Sequence, residues 1–129
     1  MSSQGWSIAE AAEALGLSVD TLRYYERDGL LLRPVPRGGS GHRRYEEVDL
    51  RWVELVTRLR STGMPIRDVR RYADLVRAGA GNEADRLDVL RNHRDQVLRQ
   101  LAEVTTHLAA IETKIATYED RLAPREKTA

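Results

Sequence analysis

From Val97 to Leu122 apolar residues recur at alternating spacings of four and three: Val97, Leu101, Val104, Leu108, Ile111, Ile115, Tyr118 and Leu122. On a helix this rhythm lays them along one narrow stripe, a heptad seam of nearly four heptads. A lone helix cannot bury such a stripe. It requires a facing helix, most economically from a second copy of the chain. Leu87 and Leu90 extend the seam backwards, with Arg94 as a charged interruption. The pattern predicts one dimerisation helix over 82–122, and its part from Asp85 to Leu122 would be about 55 Å long. Flank charges leave the coil's direction open. Lys114 with Glu119 suits parallel strands, Arg91 with Glu119 suits antiparallel ones, and surface pairs contribute too little to decide. Residues 123–129 form a polar tail.

Residues 6–79 carry a different pattern. Ser7-Ile8-Ala9-Glu10 is a capping box, and Trp6 stands where a hydrophobic staple belongs. Ile8, Ala11, Ala12 and Leu15 follow at helical spacing, and Gly16 ends the helix. Ser18 caps a second helix that turns Val19 and Leu22 inward and stops near Gly29. Two short helices joined by a brief glycine-containing turn make a helix-turn-helix over 6–29. Pro34, Pro36, Gly38, Gly39 and Gly41 then exclude helix. Residues 30–45 are predicted to form a β-hairpin wing. Over 46–79 come a third helix, with Val48, Trp52, Leu55 and Leu59 inward, and a fourth beginning at Pro65, with Ile66, Val69, Ala73 and Val76 inward. The expected fold is therefore mainly α: a winged helix-turn-helix domain followed by a long coiled-coil helix.

The composition removes several chemistries. The chain has no cysteine, so disulfides, thiolate metal sites and cysteine nucleophiles are absent together. No phosphate-binding loop, dinucleotide glycine motif or nucleophile elbow occurs. Acid pairs such as Glu46/Glu47 read as helix surface. His93 and His107 fall on one flank of the long helix, about 21 Å apart, too far to chelate one metal within a chain, and read as solvated. The expectation is no enzyme, cofactor or metal site. No apolar run reaches the roughly 18 residues of a membrane span, and the start lacks a secretory pattern. A cytoplasmic protein is expected.

Net charge is only +1, yet residues 33–44 hold four arginines and no acid. A helix-turn-helix lays its second helix in the major groove while neighbouring loops grip the backbone. With Val19 and Leu22 buried, Thr21, Arg23 and Tyr24 on the Ser18–Asp28 helix can face DNA. Tyr25, three residues after Leu22, is as well suited to the core. Arginine forks onto guanine or phosphate. The wing contributes Arg37, His42, Arg43, Arg44 and Tyr45. Arg60, just before the Gly63 turn, is a further phosphate candidate.

Taken together, WSIAEAAEALGLSVDTLRYYERDGLL, the wing ending GHRRY, and LRSTGMPIRDV closely resemble the MerR family of bacterial transcription regulators over about residues 6–78. That resemblance implies a homodimer joined by an antiparallel coiled coil. It implies binding to a double-stranded, pseudo-palindromic promoter operator, whose spacer is bent and untwisted so that RNA polymerase engages both promoter elements. It places Ser18, Thr21, Arg23, Tyr24 and Tyr25 on the recognition helix and Arg43 and Tyr45 at the wing's phosphate contacts. His42 takes a position often held by an aromatic, and Arg60 lies near a second wing. Cysteine-based metal sensing does not fit this chain, and no effector is implied. A small molecule could sit near Trp52, Tyr72 and Leu98, although those residues read first as core. Two other readings fit the residues: a coiled-coil protein-interaction module, and an architectural, excisionase-like DNA bender.

Overall fold

The computed structural model describes residues 5–34 and 44–124. It contains α1 (Ile8–Leu15), α2 (Val19–Arg27), α3 (Glu47–Ser61), α4 (Ile66–Arg77) and α5 (Glu83–Leu122). The chain divides into two units, 1–91 and 92–129.

Local signals set the helix ends in the first unit. The Ser7 N–H donates to Glu10 Oε1 at 2.9 Å and the Glu10 N–H donates to Ser7 Oγ at 3.1 Å, closing the capping box that starts α1. Gly16 ends α1 in the left-handed conformation, φ 70°, which costs an L-residue more than glycine. Ser18 Oγ accepts the Thr21 N–H at 3.0 Å and starts α2. Pro65 stands one position before α4, as its N-cap.

The helix-turn-helix packs through α1 on α2 and α1 on α3, and α3 packs on α4. Leu22, Leu30, Tyr45, Val53, Val56, Met64 and Val69 are its largest fully buried side chains. Trp52 seals this core. Its indole Nε1–H donates to the Leu30 carbonyl at 2.6 Å. Its ring stacks on Tyr72, with centroids 5.7 Å apart and planes 8° from parallel. Trp52 and Tyr72 are thus core residues. The inward face of α3 differs from the expected stripe. Val48 is 54% exposed, while Asp49, Trp52, Val53, Val56 and Leu59 are buried. Asp49 takes the inner position in the first turn because its carboxylate is satisfied twice, by Arg33 Nη2 at 2.7 Å and by the Glu46 N–H at 2.8 Å. A carboxylate so paired can be buried, and Val48 is rotated outward.

No strand forms among the described residues. Leu31–Arg33 are bends, and the one isolated bridge joins Trp6 to Tyr45, with both N–H···O distances 2.7 Å. The described ends of the expected 30–45 hairpin therefore do not pair with each other. Tyr45 spends its backbone donor and acceptor on Trp6, at the start of the domain. Gly5 permits that approach, since a Cβ there would stand 2.6 Å from the Tyr45 carbonyl oxygen.

Within the first unit, Val89 and Leu90 of α5 pack against the core. Leu90, expected in the dimer seam, therefore belongs to the domain. His93, which belongs to the second unit, is buried rather than solvated. In the second unit, Leu98, Leu101, Val104, Leu108, Ile111, Ile115, Tyr118 and Leu122 each expose half or more of their surface. Lys114 and Arg121 both lie over the Tyr118 ring, 5.4 and 5.6 Å from its centroid. Among the described residues no helix is long and apolar enough to cross a membrane, and no three metal-binding side chains cluster.

Candidate nucleic-acid interface

The candidate face is built on α2. Leu22 and Tyr25 turn into the core, which leaves Arg23 and Arg27 exposed and Thr21 and Tyr24 half-exposed. Thr21 is held in place by its first-turn partner, with its Oγ1 2.9 Å from Ser18 Oγ. The Tyr24 ring leans on Tyr25, centroids 6.0 Å apart at 49°. Tyr25 is 6% exposed. Its expected DNA contact gives way to packing, and it acts as the floor on which Tyr24 rests. Ser18 is occupied as the helix cap.

Tyr45 does not stand on the surface where a DNA contact was expected. It is fully buried, and its hydroxyl donates to the Glu26 carboxylate on α2. A side chain with no accessible surface cannot touch a phosphate. Tyr45 instead anchors its own segment to α2. Beside it Arg44 is half-exposed. Arg44 also contributes, as the smallest influence, to holding the Glu10 carboxyl below its ordinary pKa. The main causes are the backbone N–H and hydroxyl of Ser7. Arg37, His42 and Arg43 lie outside the described residues. Arg33, within the same basic stretch, is committed to Asp49.

Arg60 is exposed, but one guanidinium nitrogen, Nη1, donates to the Met64 carbonyl at 2.8 Å and braces the α3–α4 turn. In the first unit Thr21, Arg23, Tyr24 and Arg44 thus keep accessible surface, whereas Ser18, Tyr25, Tyr45 and Arg60 have supporting contacts. Glu26 was not singled out by its sequence context. Its partner stands 19 residues away, and no local periodicity reports such a pair.

The sequence matches the profile of the MerR HTH family regulatory proteins over residues 6–75, and that of the MerR DNA-binding region over 50–112. The chain belongs to the MerR family. Among MerR-family relatives, an uncharacterised HTH-type transcriptional regulator of Haemophilus influenzae is 37% identical over 80% of this chain and 76% of its own length. The regulator AdhR of Bacillus subtilis is 37% identical over 71% of this chain and 65% of its own. In three dimensions the chain is similar to a MerR-family regulator from Listeria monocytogenes, with TM-score 0.84, 33% identity, and coverage of 89% and 86% of the two chains. It is also similar to HiNmlR, a MerR-family regulator lacking the sensor domain and solved bound to promoter DNA, with TM-score 0.80, 36% identity, and coverage of 89% and 90%. This MerR-family chain is a DNA-binding transcription regulator.

Proposed function

We propose that the protein acts as a homodimer on a pseudo-palindromic promoter operator, with one α2 of each copy in successive major grooves and the α5 seams paired antiparallel. The observation that carries the dimer is the α5 stripe. From Leu101 to Leu122 its apolar residues are half-exposed or more, and a heptad seam is buried by a second helix of the same kind. Val97 and the seven residues from Leu101 to Leu122 form that interface. Arg23 and Tyr24 read bases or hold phosphates, and Arg44 with Arg37, His42 and Arg43 grips the backbone. The likeness to HiNmlR, solved on promoter DNA, supports this mode. Deforming a promoter spacer costs several kcal/mol. Two reading heads joined by one coil supply opposed grips for it, and RNA polymerase then meets a re-phased promoter. Such a protein works in the bacterial cytoplasm.

The test is fluorescence anisotropy on duplexes tiling the DNA upstream of the protein's own gene, against scrambled duplexes, at two salt concentrations. Sedimentation of the free protein accompanies it. A dimer that selects one tile, and weakens steeply with salt as counterions are released, is expected. A dimer indifferent to every DNA would favour the coiled-coil interaction module. Bending without any effect on transcription by purified polymerase would favour the architectural bender.

A further inference from the structure

α4 presents two arginines to the end of the recognition helix. Arg70 Nη2 donates to Asp28 Oδ2 at 2.6 Å, and its Nε donates to the Asp28 carbonyl at 3.1 Å. Two turns further on, Arg77 Nη1 donates to the Gly29 carbonyl at 3.1 Å and to the Leu31 carbonyl, while its Nη2 is held by Asp74. Asp28 is the C-cap of α2. The last carbonyls of a helix have no partners within it and carry the negative end of its dipole. A guanidinium is a planar fork that can bind two acceptors at once in fixed geometry. The Arg70 fork grips the capping residue of α2, and Arg77 holds the carbonyls of the segment that leaves it, so together they constrain how α2 ends against α4.

The C-terminal end of α4, where Arg77 stands, is also tethered to the start of α5. Asn82 Nδ2 donates to the Leu75 carbonyl at 2.8 Å. Arg86 donates through Nε to Asn82 Oδ1 at 2.6 Å and through Nη2 to the Gly79 carbonyl. From Arg70 to its C-terminus, α4 is therefore held both to the end of α2 and to the start of α5.

We propose that Arg70 and Arg77 are positioning residues for DNA reading: they lock the orientation of α2, and so which base edges Arg23 and Tyr24 reach, without touching DNA themselves. This rests on the reading of α2 as the recognition helix. Residues that grip phosphates and residues that aim the helix leave different signatures. A lost phosphate contact weakens binding on every sequence and lowers the salt slope by about one for each contact. A misaimed helix loses selectivity and leaves the slope alone.

The experiment enriches duplexes from a random pool with the wild-type protein. It then measures the affinity of Arg70→Lys and Arg77→Lys for the enriched duplex and for a scrambled one over a salt series, with melting temperature and helix content alongside. Lysine keeps the charge and loses the fork. Arg71→Gln, on the same helix and exposed, controls for charge loss on α4. The expected result is a fall of about tenfold in the ratio of specific to scrambled affinity, the size of one forfeited base contact. Scrambled affinity and salt slope should be unchanged, and Arg71→Gln should keep its selectivity. Equal weakening on both duplexes with a shallower slope would overturn the proposal in favour of direct phosphate contact. A lower melting temperature with unchanged selectivity would overturn it in favour of a purely structural role. If Arg77→Lys does not fold, the more exposed Arg70→Lys decides alone. If the wild type enriches no sequence, the premise about α2 fails, and that outcome is visible before any variant is made.

Discussion

The hydroxyl of Tyr45 donates to the carboxylate of Glu26, joining the segment that begins at residue 44 to the last turn of α2. With the Trp6–Tyr45 bridge, this fixes Tyr45 at both backbone and side chain. Tyr45→Phe keeps the ring and removes one charge-assisted hydrogen bond. It should lower stability by about 1.5–3 kcal/mol, read as a lower urea midpoint with an unchanged slope. DNA affinity should fall as well, because the support of Arg44 is loosened. An unaltered midpoint would mean that the contact is not maintained in solution.

Glu10 makes α1 sensitive to acid. The Ser7 backbone N–H, then its hydroxyl, hold the Glu10 carboxyl below the ordinary value. A carboxyl whose pKa is lower folded than unfolded binds fewer protons in the folded state. Its contribution is complete above the unfolded value and is lost as pH falls through the folded one. Wild type should therefore be more stable than Glu10→Gln at neutral pH. The difference should shrink from about pH 4.3 downwards. Parallel stability curves for the two proteins down to strong acid would contradict this.

Arg23 is exposed on α2, without the core packing that holds Leu22 and Tyr25. Arg23→Ala should leave the melting temperature nearly unchanged and cost about 1–3 kcal/mol of operator binding. If Arg23 reads a base, preference relaxes at one operator position. If it holds a phosphate, the salt slope falls instead. Unchanged affinity on all DNAs would remove Arg23 from the interface.

Ile111 lies in the middle of the seam and is 56% exposed in the single chain. An Ile111→Asp change places a carboxylate in what would become an apolar interface, a cost of several kcal/mol. Sedimentation should show monomer where wild type is dimer. Helix content of 6–79 should survive, and operator affinity should collapse. A variant that stays dimeric would move the interface off this stripe.

Signals that act within a turn or two of chain were readable from the residues alone. Ser7 with Glu10, Ser18 and Gly16 start and stop helices through bonds to their own neighbours, so their outcome does not wait on the rest of the molecule. The apolar stripe from Leu101 onward is likewise a property of spacing, and the helix-turn-helix follows from its caps and periodicity, while the family was legible only through the resemblance of whole motifs. The tertiary structure decided where competing uses of one residue were resolved. Spacing allowed Val48 inside, but Arg33 and the Glu46 N–H made Asp49 the residue that could be buried. Leu90 fitted the seam, and the domain core claimed it. Tyr45 and Tyr25 fitted a DNA surface, and Glu26 and the packing of α2 drew them inward. Nothing in their local sequence marks Arg70 and Arg77, whose partners at and after the end of α2 are brought beside them only by folding. In each case the deciding partner lies many residues away, and the free energy of that contact exists only once both segments are in place.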